Sequence, residues 1–171
     1  MAETAITTLS EPEFKRELAG VLPHLRAFAR GLCGRVDYAD DLVQEAAIRA
    51  WRARERFEAG TNFRAWTFTI LRNHYLSELR KNSRQTDVDD EVVEHLLVMQ
   101  PDQEAVVHLA DMESALTQLS EDRREAILLV GASGFTYEEA AEICGCAVGT
   151  VKSRVARART DLARLLGEEA R

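Results

Sequence analysis

Apolar residues recur at intervals of three and four along most of this chain, and this spacing restricts its fold more than any other feature. It is the period of an amphipathic α-helix, whereas a half-buried strand alternates with a period of two. No segment of the sequence follows the strand pattern, and only three prolines interrupt its 171 residues. We therefore expect an all-α fold.

The predicted helices fall into two groups. The first group covers residues 11–34, with Pro23 as a candidate bend, then a helix capped by Asp37 that runs to about residue 57, then residues 63–81. The second group covers residues 112–119 and 122–132, a short helix that begins at Thr136, and a last helix that runs to about residue 166. We expect two small helical domains.

All of the net negative charge lies in the middle of the chain. The whole chain has a net charge of -7, but residues 87–122 contain 11 acidic and no basic residues. A block of like charges repels itself and usually marks a solvated connector. We therefore expect an N-terminal domain over residues 1–84, an acidic linker over 85–111 and a C-terminal domain over 112–171.

Several classes of protein do not fit this sequence. The N-terminal segment has no apolar core of a signal peptide, so a cytoplasmic location is expected. The cysteines are odd in number and lack paired zinc spacing, so we expect small buried thiols and neither a metal nor another cofactor. No phosphate loop, nucleophile motif or spaced acidic pair is present, which argues against an enzyme.

The C-terminal segment has the pattern of a helix-turn-helix. Thr136 and Glu139 have the spacing of a capping box, and Gly145 can end the short helix in the left-handed conformation. In the helix that follows, Val151 and Val155 face inward. The outward face carries hydroxyl and basic side chains that can contact bases and phosphates: Lys152, Ser153, Arg154, Arg157 and Arg159. The alternative is an ordinary solvated helix face.

A second candidate nucleic-acid surface lies in residues 57–81, where aromatic side chains stand beside arginine, asparagine and hydroxyl groups. Aromatic faces hold unstacked bases while basic side chains follow the backbone. Phe63 and Trp66 also fit the buried stripe of a helix, and this is the better reading for those two. The candidate contact residues for single-stranded DNA are Gly60, Thr61, Asn62, Arg72, Asn73, Tyr75, Arg80 and Lys81.

The second helix has a polar face opposite its apolar stripe. Glu45 and Arg49 have the spacing of an ion pair, so simple solvation explains part of the pattern. The alternative is a surface for a protein partner. Its candidate residues are Asp40, Asp41, Gln44, Glu45 and Arg49.

The order of these parts resembles an extracytoplasmic-function (group IV) RNA polymerase sigma factor. Residues 37–46 and 63–73 resemble the conserved region 2 of that family, and residues 136–141 and 148–154 resemble its region 4. Within the family, residues 62–73 look most like the alphaproteobacterial general-stress-response branch. The resemblance implies that the polar face of the second helix binds core RNA polymerase, and that residues 60–81 capture an unpaired base of the −10 element.

The same resemblance implies that region 4 reads the −35 element in the major groove. The residues assigned to this surface are Thr136, Tyr137, Val148, Gly149, Thr150, Lys152, Ser153, Arg154, Arg157 and Arg159. The acidic linker would thread through the polymerase and mimic nucleic acid on a basic lining. An anti-sigma protein is the expected regulator.

Two other classes compete with this interpretation. A sigma-like decoy would bind an anti-sigma factor without activating transcription, but such decoys in this branch add a receiver domain, for which the chain leaves no room. The intact basic face of residues 152–159 also argues against a decoy. A dimeric helix-turn-helix repressor would leave the region 2 resemblance unexplained.

Overall fold

The computed structural model describes residues 7–85 and 103–167, and it contains no strand within them. The expected all-α fold is confirmed. A 3-10 turn at Arg54–Arg56 follows the second helix, and a π-helical segment at Leu128–Ala132 continues the fifth. The α-helices are α1 (Glu11–Cys33), α2 (Val36–Arg52), α3 (Phe63–Gln85), α4 (Gln103–Gln118), α5 (Glu121–Ile127), α6 (Tyr137–Cys144) and α7 (Val148–Leu165).

The ends of α1 follow from its local sequence. The backbone N–H of Ser10 donates to the Glu13 carboxylate at 2.8 Å, which satisfies a donor at the start of the helix. Gly34 ends the helix with φ of 67°, a left-handed conformation that glycine adopts without strain. The predicted cap at Asp37 is wrong, because α2 begins at Val36 and Asp37 lies in its first turn. Its carboxylate there complements the positive end of the helix dipole.

The segment between the two helical groups is partly helical. Helix α3 continues to Gln85, and α4 begins at Gln103, so residues 103–111 of the expected linker belong to a helix. Residues 86–102, which carry most of the expected linker, lie outside the described residues. The short apolar helix considered at residues 92–98 lies outside them as well.

The N-terminal helices enclose an aromatic core. Phe14 lies against Phe63 and Trp66, with ring centroids 5.1 and 6.1 Å apart, and Phe57 lies 5.0 Å from Phe63. These rings meet edge to face, the arrangement that favours aromatic pairs. Phe63 is buried, and Trp66 packs against the same cluster. The core interpretation of Phe63 and Trp66 therefore holds.

The two groups of helices pack against each other around one hydrophobic cluster. Phe68 of α3 is fully buried between Phe28 of α1 and Phe135 of the C-terminal unit, with both ring centroids 4.9 Å away. Gly31 lies so close to Leu128 that a Cβ on residue 31 would come within 2.6 Å of the leucine side chain. We call residues 7–85 the N-terminal unit and residues 103–167 the C-terminal unit.

Candidate nucleic-acid interface

Helices α6 and α7 form the predicted helix-turn-helix. The Glu139 N–H donates to Thr136 Oγ1 at 3.1 Å, and the Glu139 carboxylate accepts the Thr136 N–H at 2.8 Å. This reciprocal capping box fixes the start of α6. Gly145 ends the helix with φ of 65° and ψ of 38°, and α7 begins three residues later. The predicted capping box and glycine turn are confirmed.

The two faces of α7 differ sharply in burial. Val151, Val155 and Ala158 are buried and fix the helix against the rest of the C-terminal unit. Among the residues assigned to −35 DNA, the exposed ones are Thr136 at the start of α6 and, on α7, Gly149, Lys152, Ser153, Arg157 and Arg159. Tyr137, Val148 and Thr150 are half-buried.

Arg154 makes polar contacts within the chain and is less exposed than Lys152, Arg157 and Arg159. Its guanidinium lies 3.1 Å from the Asp122 carboxylate and donates to the Cys146 sulfur at 3.8 Å. The side chain is only 23% exposed. Asp122 therefore holds the Arg154 guanidinium beside the turn between α6 and α7. The spacing of these residues in the sequence does not indicate this role of Asp122.

The loop before α3 presents part of the expected −10 surface. Gly60 adopts φ of 89°, and the Thr61 hydroxyl donates to the Glu58 carbonyl at 2.7 Å. Asn62 Oδ1 accepts the Ala65 N–H at 3.0 Å, so this side chain also caps α3. Gly60, Thr61 and Asn62 are exposed, as are Asn73, Arg80 and Lys81 along α3.

Tyr75 does not lie on this surface. It is 5% exposed, and its hydroxyl donates to the Leu32 carbonyl at 3.2 Å. Burial raises the pKa of Tyr75 to about 12, although the nearby Arg124 guanidinium acts in the opposite direction. The assignment of Tyr75 to the DNA surface needs correction, because its apolar ring fills the space between α3 and the end of α1.

Arg72 is also withdrawn from solvent. Its Nε lies 2.5 Å from the Glu125 carboxylate of α5, and the two side chains are 17% and 7% exposed. A buried carboxylate is stable only with such a partner. The pair joins the two units across 53 residues of sequence.

The polar face of α2 is accessible. Asp40, Asp41, Gln44 and Arg49 are exposed, whereas Glu45 is half-buried. Glu45 accepts a hydrogen bond from Arg49 Nε at 2.7 Å, and this bond lowers the pKa of the Glu45 carboxyl. The ion pair expected from the sequence is therefore present on this face.

Sequence reasoning missed an apolar residue of the same face. Ile48 is 39% exposed and lies one helical turn beyond Gln44. An isoleucine at that position interrupts the polar pattern of the helix face. This interruption is visible in the sequence and could have identified Ile48 as an exposed apolar residue. Such a side chain adds apolar area that a protein partner can cover.

The cysteines are free thiols with different environments. Cys144 is buried, whereas Cys33 and Cys146 are half-buried, so the expectation of burial holds fully for Cys144 alone. Burial raises the pKa of the Cys144 thiol to about 12. Within the described residues, no group of three or more His, Cys, Asp or Glu side chains is placed to hold a metal. In the same ranges, no helix has the length and apolarity to cross a membrane.

Comparison with known families identifies the family to which the chain belongs. The family model for sigma-70 region 2 matches residues 19–85, and that for sigma-70 region 4 matches residues 109–162. The chain therefore belongs to the sigma-70 family of RNA polymerase sigma factors, whose members bind core RNA polymerase and promoter DNA. The resemblance to its extracytoplasmic-function group is confirmed by the relatives described next.

The ECF RNA polymerase sigma factor EcfG of Rhodopseudomonas palustris is 50% identical over 150 residues, covering 88% of this chain and 83% of that protein. The sigma factor RpoE of Bartonella quintana, solved in complex with the anti-sigma factor NepR, is 51% identical with a TM-score of 0.82, covering 92% of this chain and 98% of that one. CnrH, solved with the cytosolic domain of CnrY, is 28% identical with a TM-score of 0.69, covering 94% and 92%.

Proposed function

We propose that this sigma factor recognises promoters through two separate surfaces, with α7 on the −35 element and the segment from Gly60 to Lys81 on the −10 element. The observation that carries the proposal is the exposed basic face of α7 behind a capped α6 and a left-handed Gly145 turn. This geometry lets a helix enter the major groove with its basic side chains directed at bases and phosphates. The chain supplies specificity, and the polymerase supplies the chemistry.

Initiation by a reconstituted enzyme tests this function. Purified chain is mixed with core polymerase and a library of double-stranded promoter fragments, and the start sites of the transcripts are mapped. We expect initiation at a defined subset of fragments that core polymerase alone does not use. Identical start sites with and without the chain would refute the proposal.

The −35 surface is tested with Arg157, which is exposed on α7. Replacing Arg157 with alanine should weaken binding to a selected duplex promoter by about 1–3 kcal/mol, the range of one bidentate base contact. The measurement is fluorescence anisotropy of the labelled duplex at fixed salt. Arg30→Ala removes the same charge from an exposed position of α1 and is the matched control. Equal losses for both variants would exclude a specific contact at Arg157.

We assign binding of core polymerase to the face of α2 that carries the exposed Ile48 and the polar residues Asp40, Asp41, Gln44, Glu45 and Arg49. The support is the combination of an accessible polar face with an exposed apolar side chain one turn beyond Gln44. We assign no enzymatic activity to this surface.

Reversing the charge of Asp41 should weaken assembly with core polymerase. We expect Asp41→Lys to raise the dissociation constant about tenfold or more, because a rim charge that opposes its partner slows association and destabilises the complex. Binding is measured by biolayer interferometry with immobilised core enzyme. Glu17→Lys makes the same change on the exposed face of α1 and should bind like the unmodified chain. A similar loss in both variants would argue against α2.

We further propose that an anti-sigma protein regulates the chain. The support is the similarity to RpoE, which was solved with NepR, and to CnrH, which was solved with CnrY. Addition of a NepR-type protein should then suppress the promoter-specific transcripts. Transcription that persists at saturating NepR-type protein would contradict this regulation. A decoy would instead bind that protein and give no transcripts with core polymerase.

A further inference from the structure

Arg154 is held from two sides by residues of different elements. Its Nη2 atom lies 3.1 Å from the carboxylate of Asp122 in α5, and its Nη1 atom donates to the Cys146 sulfur, in the turn before α7, at 3.8 Å. The two terminal nitrogens therefore have different partners. Because a guanidinium is planar, contacts at two of its nitrogens fix the orientation of the plane as well as its position.

The carboxylate of Asp122 is itself well placed. Asp122 lies in the first turn of α5, where a negative charge complements the helix dipole. A second ion pair joins the same two helices, because Arg123 donates to the Asp161 carboxylate of α7 at 2.5 Å. Asp161 lies two helical turns beyond Arg154. This second pair keeps α5 in register with α7, and so keeps Asp122 beside Arg154.

Arg154 lies at the border between the buried and the exposed faces of α7. Val151, three residues before it, and Ala158, four residues after it, are buried. Arg157, three residues after it, is exposed and belongs to the surface assigned to −35 DNA. Residues three apart on a helix are neighbours, so the guanidinium of Arg154 reaches the edge of that surface. Arg154 also lies near the N-terminal end of α7, the part of a recognition helix that contacts bases.

The Arg154 guanidinium keeps donors for a further partner. Each terminal nitrogen carries two N–H groups and Nε carries another, so the contacts with Asp122 and Cys146 do not use all of them. Two adjacent donors of a guanidinium match the N7 and O6 acceptors of guanine in the major groove. A side chain that is already ordered loses less entropy on binding. An arginine held in this way is suited to read a base, whereas a mobile one attracts phosphates of any sequence.

Asp122 acts against general attraction to DNA. Its side chain is 66% exposed, and a carboxylate beside a DNA surface repels phosphates of every sequence. Its contact with Arg154, in contrast, matters only where the guanidinium meets a base. The two effects of Asp122 therefore have opposite consequences for non-specific affinity and for selectivity.

We propose that Arg154 reads one guanine of the −35 element and that Asp122 is its positioning residue, so that Asp122 sets the base selectivity of the helix-turn-helix through Arg154. The proposal rests on the function assigned above. It deepens that function by naming a residue outside α6 and α7 that decides which promoters are chosen.

Initiation from a promoter library tests the proposal. The chain is assembled with core polymerase, and each base pair of the −35 element in a selected promoter is varied singly. The abundance of each transcript gives the preference for each base at each position. Arg154→Lys keeps the charge but loses the planar pair of donors, so it should lower the preference for guanine at one position about fivefold or more. This variant identifies the base pair that Arg154 reads.

Asp122→Asn should lower the preference at that same position by a similar factor, because a neutral amide holds a guanidinium more weakly than a carboxylate does. Added to Arg154→Lys, it should cause no further loss, since both changes remove one interaction. Asp122→Glu keeps the carboxylate and should retain part of the preference. Asp161→Asn is the matched control. It makes the same change in the other ion pair between α5 and α7 and should leave every preference unchanged.

The pattern of losses decides between the possible roles of Asp122. A purely structural role would lower transcripts from all library members by one factor and leave the preferences unchanged, which would overturn the proposal. A stronger preference in Asp122→Asn would overturn it as well, because Asp122 would then withdraw Arg154 from DNA. An equal loss of preference in Asp161→Asn would show that the cause is a loosened α5.

Failure of this inference is distinguishable from failure of the proposed function. If the unmodified chain gives no promoter-specific transcripts, the proposed function fails, and the positioning role fails with it. If Asp122→Asn initiates at the selected promoter with all base preferences intact, the positioning role alone is refuted and the sigma activity stands.

Discussion

Replacing Phe68 with alanine is expected to lower the free energy of unfolding by about 3–5 kcal/mol, the usual cost of removing a buried aromatic ring. The residue is fully buried, and its ring contacts Phe28 on one side and Phe135 on the other. Neither neighbour can fill the space without leaving its own partners. Urea unfolding followed by far-ultraviolet circular dichroism measures the change.

An exposed apolar residue provides the control for Phe68. Val36→Ala, at a position 51% exposed, should change the free energy of unfolding by less than about 0.5 kcal/mol. If Phe68→Ala costs no more than this control, the ring does not bridge the two units. A change in the denaturant slope would instead indicate a change in the surface exposed on unfolding or a loss of two-state behaviour.

Local features of this fold were predictable from the sequence because they depend on neighbours along the chain. The capping box at Thr136 and the left-handed glycine at 145 are confirmed, since each depends on three or four consecutive residues. The helices were also predictable, because apolar residues that become buried recur every three or four positions. The cap at Asp37 failed because Arg35 has the extended backbone that precedes the helix.

Contacts between the two units were not predictable in this way. Arg72 and Glu125 are 53 residues apart, and nothing in either local sequence indicates a partner. Tyr75 has an aromatic ring and a hydroxyl, so its sequence fits a stacking surface and a core position equally well. Its burial depends on Leu32 and on the approach of α5, which only the tertiary structure provides.

Arg124 is a further residue whose role only the fold reveals. Its guanidinium donates to the carbonyls of Leu116, Thr117 and Leu119 at 2.8–2.9 Å and to that of Leu32 at 2.8 Å. The carbonyls in the last turn of a helix lack partners within it, and a cation there also complements the helix dipole. One side chain therefore caps the C-terminal ends of α1 and α4, one from each unit.

Replacing Arg124 with alanine should therefore lower the free energy of unfolding by about 3 kcal/mol or more, because several hydrogen bonds to a charged donor are lost together. Arg124→Lys keeps the charge but not the planar donor geometry, so it should restore only part of the loss. Its neighbour Arg123 pairs with Asp161 and its side chain is 37% exposed, so Arg123→Ala should cost about 1 kcal/mol or less. Equal losses for the two alanine variants, measured by urea unfolding, would show that Arg124 does not tie the helix ends together.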